Sequence, residues 1–281
     1  MRIIFLGLVG GLFLLSLSAA IPLPIVVLHG IVSSAEQMIP FCAWLELAFE
    51  RPVYNLEIGN GEKTSLYTPM REQLALVCDK IHAVTSLRNG FDFIGMSQGG
   101  LLARGYVEQC NFYPVRNLIT LVSPHGGVFI SHLNNFNAYG QFIQAHLSFS
   151  NYWRDPTDLT NYLRKCSYLS NFNNENITDD SPRNKAHIAS LTNFILVWSP
   201  NDEILNPPES GKFSIYDEML RVIPVQETTI YKALGLDLLD HQSRLHIFET
   251  NCTHKEHRDI VCYKQLYSIL RPFLIKELRN I

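Results

Sequence analysis

Charge is scarce in this chain. Only 17% of its 281 residues are Asp, Glu, Lys or Arg, and the formal net charge is −3. With no basic excess, neither nucleic acid nor a polybasic contact with a membrane surface is expected. There is no Cys-x-x-Cys or His-x-x-x-His spacing, so no metal site is proposed, and no cofactor is expected. Internal repeats are missing, as is any linker that would mark a second independent domain. The longest apolar run, Ile3 to Leu17, is short for a spanning helix and has no basic stop-transfer flank. A stable transmembrane anchor is therefore not expected.

That run has another reading. Arg2 supplies a small positive start, Ile3 to Leu17 an apolar middle, and Ser18-Ala19-Ala20 a small-residue cleavage site. Residues 1–20 read as a signal peptide, which leaves 21–281 as a single domain. Secretory entry makes the six cysteines a disulfide question: Cys42, Cys78, Cys110, Cys166, Cys252 and Cys262. Six cysteines allow fifteen connectivities. Two Asn-x-Thr sequons, at Asn176 and Asn251, fit the same compartment. Asn176, in the polar run Asn171 to Asp180, is the expected acceptor.

The rest is organised around Phe91-Asp92-Phe93-Ile94-Gly95-Met96-Ser97-Gln98-Gly99-Gly100. A short apolar run breaks into Gly-x-Ser-x-Gly, and the helix-compatible stretch Leu101 to Cys110 follows. Strand, sharp turn and helix are the setting of a nucleophile elbow. Bulky side chains two places either side of the serine would clash in such a turn, and Gly95 and Gly99 remove them. Ser97 is the expected nucleophile, with free N–H groups of the following helix near its hydroxyl.

Ile25–Leu28 reads as a strand buried on both faces, and Val53–Leu56, Phe91–Ile94, Val115–Val122, Asn193–Ser199 and Leu245–Phe248 read as further strands. Helical spacing occupies Met38–Phe49, Pro69–Ser86, Leu101–Cys110 and Ile260–Lys276. The alternation implies a mostly parallel central sheet with helices on both faces, an α/β-hydrolase fold. Residues from about 128 to 187, rich in Asn, Tyr and Phe, read as an insertion of short helices and loops.

A serine hydroxyl needs a histidine base, oriented in turn by a carboxylate. On this fold they follow in the order Ser, acid, His, each just past a strand end. Asp202 follows the strand ending near Ser199, with Glu203 its adjacent rival. His254 follows the strand ending at Phe248, with His257 three residues on. Counted from the strand side the base is His254; counted back from Arg271-Pro272-Phe273-Leu274 it falls nearer His257. The loop His29-Gly30-Ile31 after the first strand supplies the second oxyanion donor, so the N–H groups of Ile31 and Gln98 form the expected pair. His29 itself is expected to brace that loop.

Gly95-Met96-Ser97-Gln98-Gly99-Gly100 resembles the elbow of palmitoyl-protein thioesterases, with Gln after the serine. His125-Gly126-Gly127-Val128-Phe129, Asn151-Tyr152-Trp153-Arg154-Asp155-Pro156, and Asn201-Asp202 with Glu203-Ile204-Leu205 and Pro207 are also similar to family segments. So is Ile223-Pro224-Val225-Gln226-Glu227-Thr228-Thr229-Ile230-Tyr231. The resemblance runs from about Ile25 to Leu274. It departs at Asn251-Cys252-Thr253-His254-Lys255, where the family usually has a Gly-Asp-His-Leu-like sequence. It implies a lysosomal or secreted serine hydrolase that removes palmitoyl-like chains from cysteine thioesters of proteins, peptides or acyl-CoA. A lipase or carboxylesterase acting on oxygen esters is the alternative. The resemblance also implies that Cys78 and Cys110 pair. Phe129, Ile130, Leu133, Phe136, Phe142, Ile143, Leu147 and Phe149 would either line an acyl groove or form the core of the insertion. A groove would gain roughly 0.8 kcal/mol per methylene buried.

Overall fold

A strand buried on both faces shows no polar alternation, and four such runs form the middle of one sheet, with the half-exposed Val53–Leu56 and Leu245–Glu249 at its edges. The computed structural model describes residues 22–133 and 136–275; the expected signal peptide lies outside them. In chain order the elements are β1 (Ile25–Leu28), α1 (Ala35–Phe49), β2 (Val53–Leu56), α2 (Glu62–Tyr67), α3 (Met70–Ala83), β3 (Phe91–Met96), α4 (Gln98–Gly105) and β4 (Val115–Leu121). Then come α5 (Gln141–His146), α6 (Leu159–Lys165), α7 (Leu169–Phe172), α8 (Ser181–Ala189) and β5 (Asn193–Trp198). The chain continues through β6 (Ile215–Tyr216), β7 (Val222–Ile223), α9 (Thr229–Ala233), α10 (Leu236–His241), β8 (Leu245–Glu249) and α11 (Ile260–Leu274).

The main sheet has the order β2-β1-β3-β4-β5-β8, and every neighbouring pair is parallel. Successive side chains of a strand point to opposite faces. Ile25, Val27, Ile94, Met96, Ile119, Leu121, Ile195 and Val197 pack on one face, under Met38, Phe41 and Leu45 of α1 and Leu266 and Leu270 of α11. Val26, Leu28, Phe93, Leu118, Phe194 and Leu196 pack on the other, under residues of α3, α4, α8 and α10. The apolar stripe of α1, at Met38, Phe41, Cys42, Leu45 and Phe49, is the i, i+3, i+4, i+7 pattern of a one-faced helix.

The sequence reading differs from the structure in detail. The helix after the elbow begins at Gln98, not Leu101, and widens into a π turn over Tyr106–Cys110. The two-stranded β6–β7 ribbon and α2, α9 and α10 were not expected; each is too short to write a period into the sequence.

Between β4 and β5 the chain runs through short helices anchored from below. Arg104 of α4, fully buried, donates to Asn173 Oδ1 at 2.9 Å and to the Phe172 carbonyl at 3.1 Å, and pairs with Glu108 at 3.2 Å. Val128 and Trp153 form a parallel bridge, closed by Val128 N–H to Tyr152 O (3.0 Å) and Arg154 N–H to Val128 O (2.9 Å). The two family-like segments around Gly126 and Trp153 are therefore one structural joint. Arg154 completes it by pairing with Glu175 at 3.0 Å.

Two disulfides are present, Cys78–Cys110 and Cys252–Cys262, while Cys42 and Cys166 are free and buried. The first ties α3 to the end of the π turn across a separation of 32 residues. Removing it with Cys78→Ser/Cys110→Ser is expected to lower stability by roughly 2–4 kcal/mol, read by denaturant unfolding. Burial pushes the Cys42 thiol up to about 12, so it should resist thiol reagents in the native protein. Unreduced peptide mapping should recover both linked pairs; labelling of Cys78 as a native thiol would refute the assignment.

Candidate active site

The elbow is a steric construction. Ser97 has φ 53° and ψ −127°, a backbone state that side-chain-bearing residues rarely hold. A Cβ on Gly95 would lie 2.5 Å from the Gly100 Cα and from the Gly99 carbonyl oxygen, and one on Gly99 would overlap the carbonyls of Leu28 and His29. Both glycines are thus required for the turn to pass between β1 and α4. Gln98 opens α4, so its N–H belongs to the first turn, which has no intrahelical acceptor.

The Gln98 side chain has a different task. Its Nε2 donates to the Ser65 carbonyl (2.8 Å) and Gln73 Oε1 (3.0 Å), and its Oε1 accepts from Ser148 Oγ (3.0 Å). The residue after the serine therefore pins the elbow to α2, α3 and the segment between β4 and β5. Gly30 brings the loop after β1 close to the serine, since a Cβ there would lie 3.0 Å from Ser97 Cβ. His29 braces that loop from below, with Nδ1 and the Gly30 carbonyl 2.9 Å apart and Nε2 2.8 Å from Glu57 Oε1. Glu57 Oε2 in turn accepts the Ala35 N–H at 2.9 Å.

Past β5, Asp202 is almost wholly buried. Its Oδ1 accepts from the N–H groups of Ile204 (2.9 Å) and Leu205 (2.8 Å). The other oxygen, Oδ2, lies 2.7 Å from His254 Nδ1. Glu203 does not reach the imidazole; its Oε2 accepts the His254 backbone N–H at 2.9 Å. Two adjacent carboxylates thus hold one histidine, one by the ring and one by the main chain. Ser97 and His254 line one cavity of about 400 Å³, together with Gly30, Ile31 and Met96. No hydrogen bond within 3.5 Å joins the two side chains, as is common for such pairs before substrate arrives.

His257 is placed elsewhere. It is fully buried, with Nδ1 donating to the Thr253 carbonyl (2.8 Å) and Nε2 2.8 Å from Thr250 Oγ1. Burial holds its pKa below the ordinary histidine value, against the opposing bond to the Thr253 carbonyl, and so favours the neutral ring. The Cys252–Cys262 bond closes the same loop onto α11. His257→Ala is expected to cost roughly 2–4 kcal/mol of stability through lost packing and orphaned polar groups. Activity per folded molecule should change less than about tenfold, whereas His254→Ala should cost at least about a thousandfold. Thermal unfolding and turnover measured on both variants test this contrast, and the opposite ranking would make His257 the base.

The sequence reading did not anticipate the Glu203–His254 main-chain bond or the three-way grip of Gln98; no local pattern encodes either. Of the proposed groove residues, Phe129, Phe136 and Phe149 pack edge-on around Trp153. None of the eight lines the Ser97 cavity, so those three are core of the segment. Asn176 is half-buried, and its Nδ2 donates to the Leu163 carbonyl at 2.5 Å; Asn251 is exposed. Among the described residues no cluster of His, Cys, Asp and Glu is arranged to hold a metal, and no helix is long and apolar enough to cross a membrane.

An all-parallel sheet, a serine at a strained strand–helix turn and an Asp–His pair beyond later strands define the α/β-hydrolase class. Solved structures share the fold: a monoacylglycerol lipase of Paleococcus ferrophilus (TM-score 0.55, 16% identity, 89% of this chain and 93% of that one) and an extracellular α/β-hydrolase from a Paenibacillus species (TM-score 0.52, 13% identity, 89% and 98%). The palmitoyl protein thioesterase family model matches residues 24–254. Palmitoyl-protein thioesterase 3 of Dictyostelium discoideum is 36% identical over 248 residues, covering 83% of this chain and 86% of the relative. The lysosomal thioesterase PPT2 homolog of Drosophila melanogaster is 30% identical over 270 residues, covering 89% and 91%. The chain belongs to the palmitoyl-protein thioesterase family, and is a thioester hydrolase.

Proposed function

We propose that the protein removes long fatty acyl groups from cysteine thioesters by a Ser97–His254–Asp202 mechanism. The observation that carries this reading is the 2.7 Å contact between His254 Nδ1 and Asp202 Oδ2, in a histidine that shares its cavity with Ser97. Ser97 Oγ attacks the thioester carbonyl while His254 Nε2 takes its proton. The Ile31 and Gln98 N–H groups stabilise the oxyanion. Collapse expels the thiol, which leaves with the proton from His254. Water, deprotonated by the same nitrogen, then releases the fatty acid and restores Ser97.

Single-domain organisation, with the segment from about 128 to 187 as a cap over the sheet's upper edge, belongs to the same proposal. So does a lysosomal or secreted location, supported by relatives named lysosomal thioesterases. The test is hydrolysis of a palmitoyl thioester and its matched oxygen ester by purified protein. Faster turnover of the thioester supports the reading, and preference for the oxygen ester would make this a lipase or carboxylesterase.

A further inference from the structure

The cavity beside Ser97 has two sides of different chemistry. Ile31, Val32, Met96 and Ile204 are apolar; Lys255 and Arg258, just beyond His254, bring two cations. Among the described residues no carboxylate lines this cavity. Among the described residues neither cation forms a salt bridge. Arg258 is held instead by neutral groups, with NH1 donating to Ser33 Oγ at 3.1 Å and to Gln37 Oε1 at 3.0 Å. The nearby carboxylates bond to neutral donors and not to these cations. Glu203 takes the His254 N–H, Glu256 takes the Thr253 N–H, and Glu62 takes the Gln37 amide. A positioned guanidinium that lines the cavity with Lys255 and is in no ion pair is a receptor for an oxyanion.

A thioester presents an apolar acyl arm and a polar thiol arm. Threading methylenes past two cations would strip them of water with no return. The cationic side therefore suits the leaving thiol. We propose that Lys255 and Arg258 form an anion subsite that selects thioesters whose thiol carries a carboxylate or phosphate. This rests on the thioesterase reading above and adds a preference among its substrates. The cavity, about 400 Å³, is near the lower end of small-ligand pockets, so it receives one arm of a substrate and not a folded partner.

The experiment compares three thioesters of one acyl chain: with neutral N-acetylcysteamine, with the carboxylate-bearing N-acetylcysteine, and with the phosphate-bearing coenzyme A. The wild-type protein should turn over at least one anionic thioester with kcat/KM about tenfold above the neutral one at low salt, and the advantage should shrink as salt screens it. Lys255→Gln/Arg258→Gln should erase that advantage through KM, leaving kcat and the neutral substrate within about twofold. Arg258→Lys should retain most of it. Preference for the carboxylate alone, the phosphate alone or both identifies the anion. Equal wild-type rates on all three, or an equal loss on all three in the double variant, would overturn the subsite. Turnover of none would overturn the thioesterase reading instead.

Discussion

Ser97→Ala is expected to lower thioester turnover by about a millionfold, the scale seen when a triad nucleophile is removed alone. The fold should survive, because the serine sits at the cavity wall, 7% exposed, and alanine occupies the same strained backbone. Loss of one partly exposed hydroxyl should move stability by no more than about 0.5 kcal/mol. The residual rate would reflect the oxyanion donors and substrate binding, which stay in place. A fluorophosphonate probe offers a second readout: it should label the wild type once, on the peptide carrying Ser97, and leave the variant unlabelled. Retention of more than about a tenth of the wild-type rate would remove Ser97 as nucleophile.

Much of this was legible in the sequence, for a physical reason. Strands covered by helices on both faces must be apolar throughout, and Ile25–Leu28 or Asn193–Trp198 announces itself as such a run. The elbow was legible because its sterics demand glycine at 95 and 99. What stayed hidden depends on tertiary placement. Gly99-Gly100 reads as a helix breaker, yet the helix starts at Gln98 because glycine there lets α4 pass the β1 carbonyls. The β6–β7 ribbon has two residues per strand, half-buried or exposed, and no pattern can show in so short a span. The two histidines lie three residues apart in one loop, and composition treats them alike. They are separated by Thr250 and Thr253, which capture the His257 ring, and by Asp202, which faces His254. The cavity cations were missed too, since Lys255 and Arg258 read as ordinary surface charges next to Glu256 and Asp259.

Asp202→Asn is expected to cost roughly 10⁴-fold in turnover while leaving the local geometry unchanged, as in the equivalent substitution of the type case. The reason lies in how the two carboxylate oxygens are used. Oδ1 accepts two backbone N–H groups, from Ile204 and Leu205, so in the asparagine variant the amide oxygen must take that place. The NH2 then faces His254 Nδ1, where the wild type has an acceptor. To accept that donor, Nδ1 must lose its proton, and the neutral ring carries it on Nε2, the nitrogen that should take the proton from Ser97. The variant would hold its histidine in the right place and the wrong tautomer. Glu203→Gln changes only an acceptor of the His254 backbone N–H, which a glutamine oxygen still fills, so its cost should stay within about tenfold. Turnover of both variants on one palmitoyl thioester separates the two roles. A larger loss for Glu203→Gln than for Asp202→Asn would transfer the acid to Glu203. Protection of the fold is checked by equal unfolding midpoints, and the rate of Asp202→Asn should rise with pH as hydroxide takes the Ser97 proton in place of the blocked Nε2.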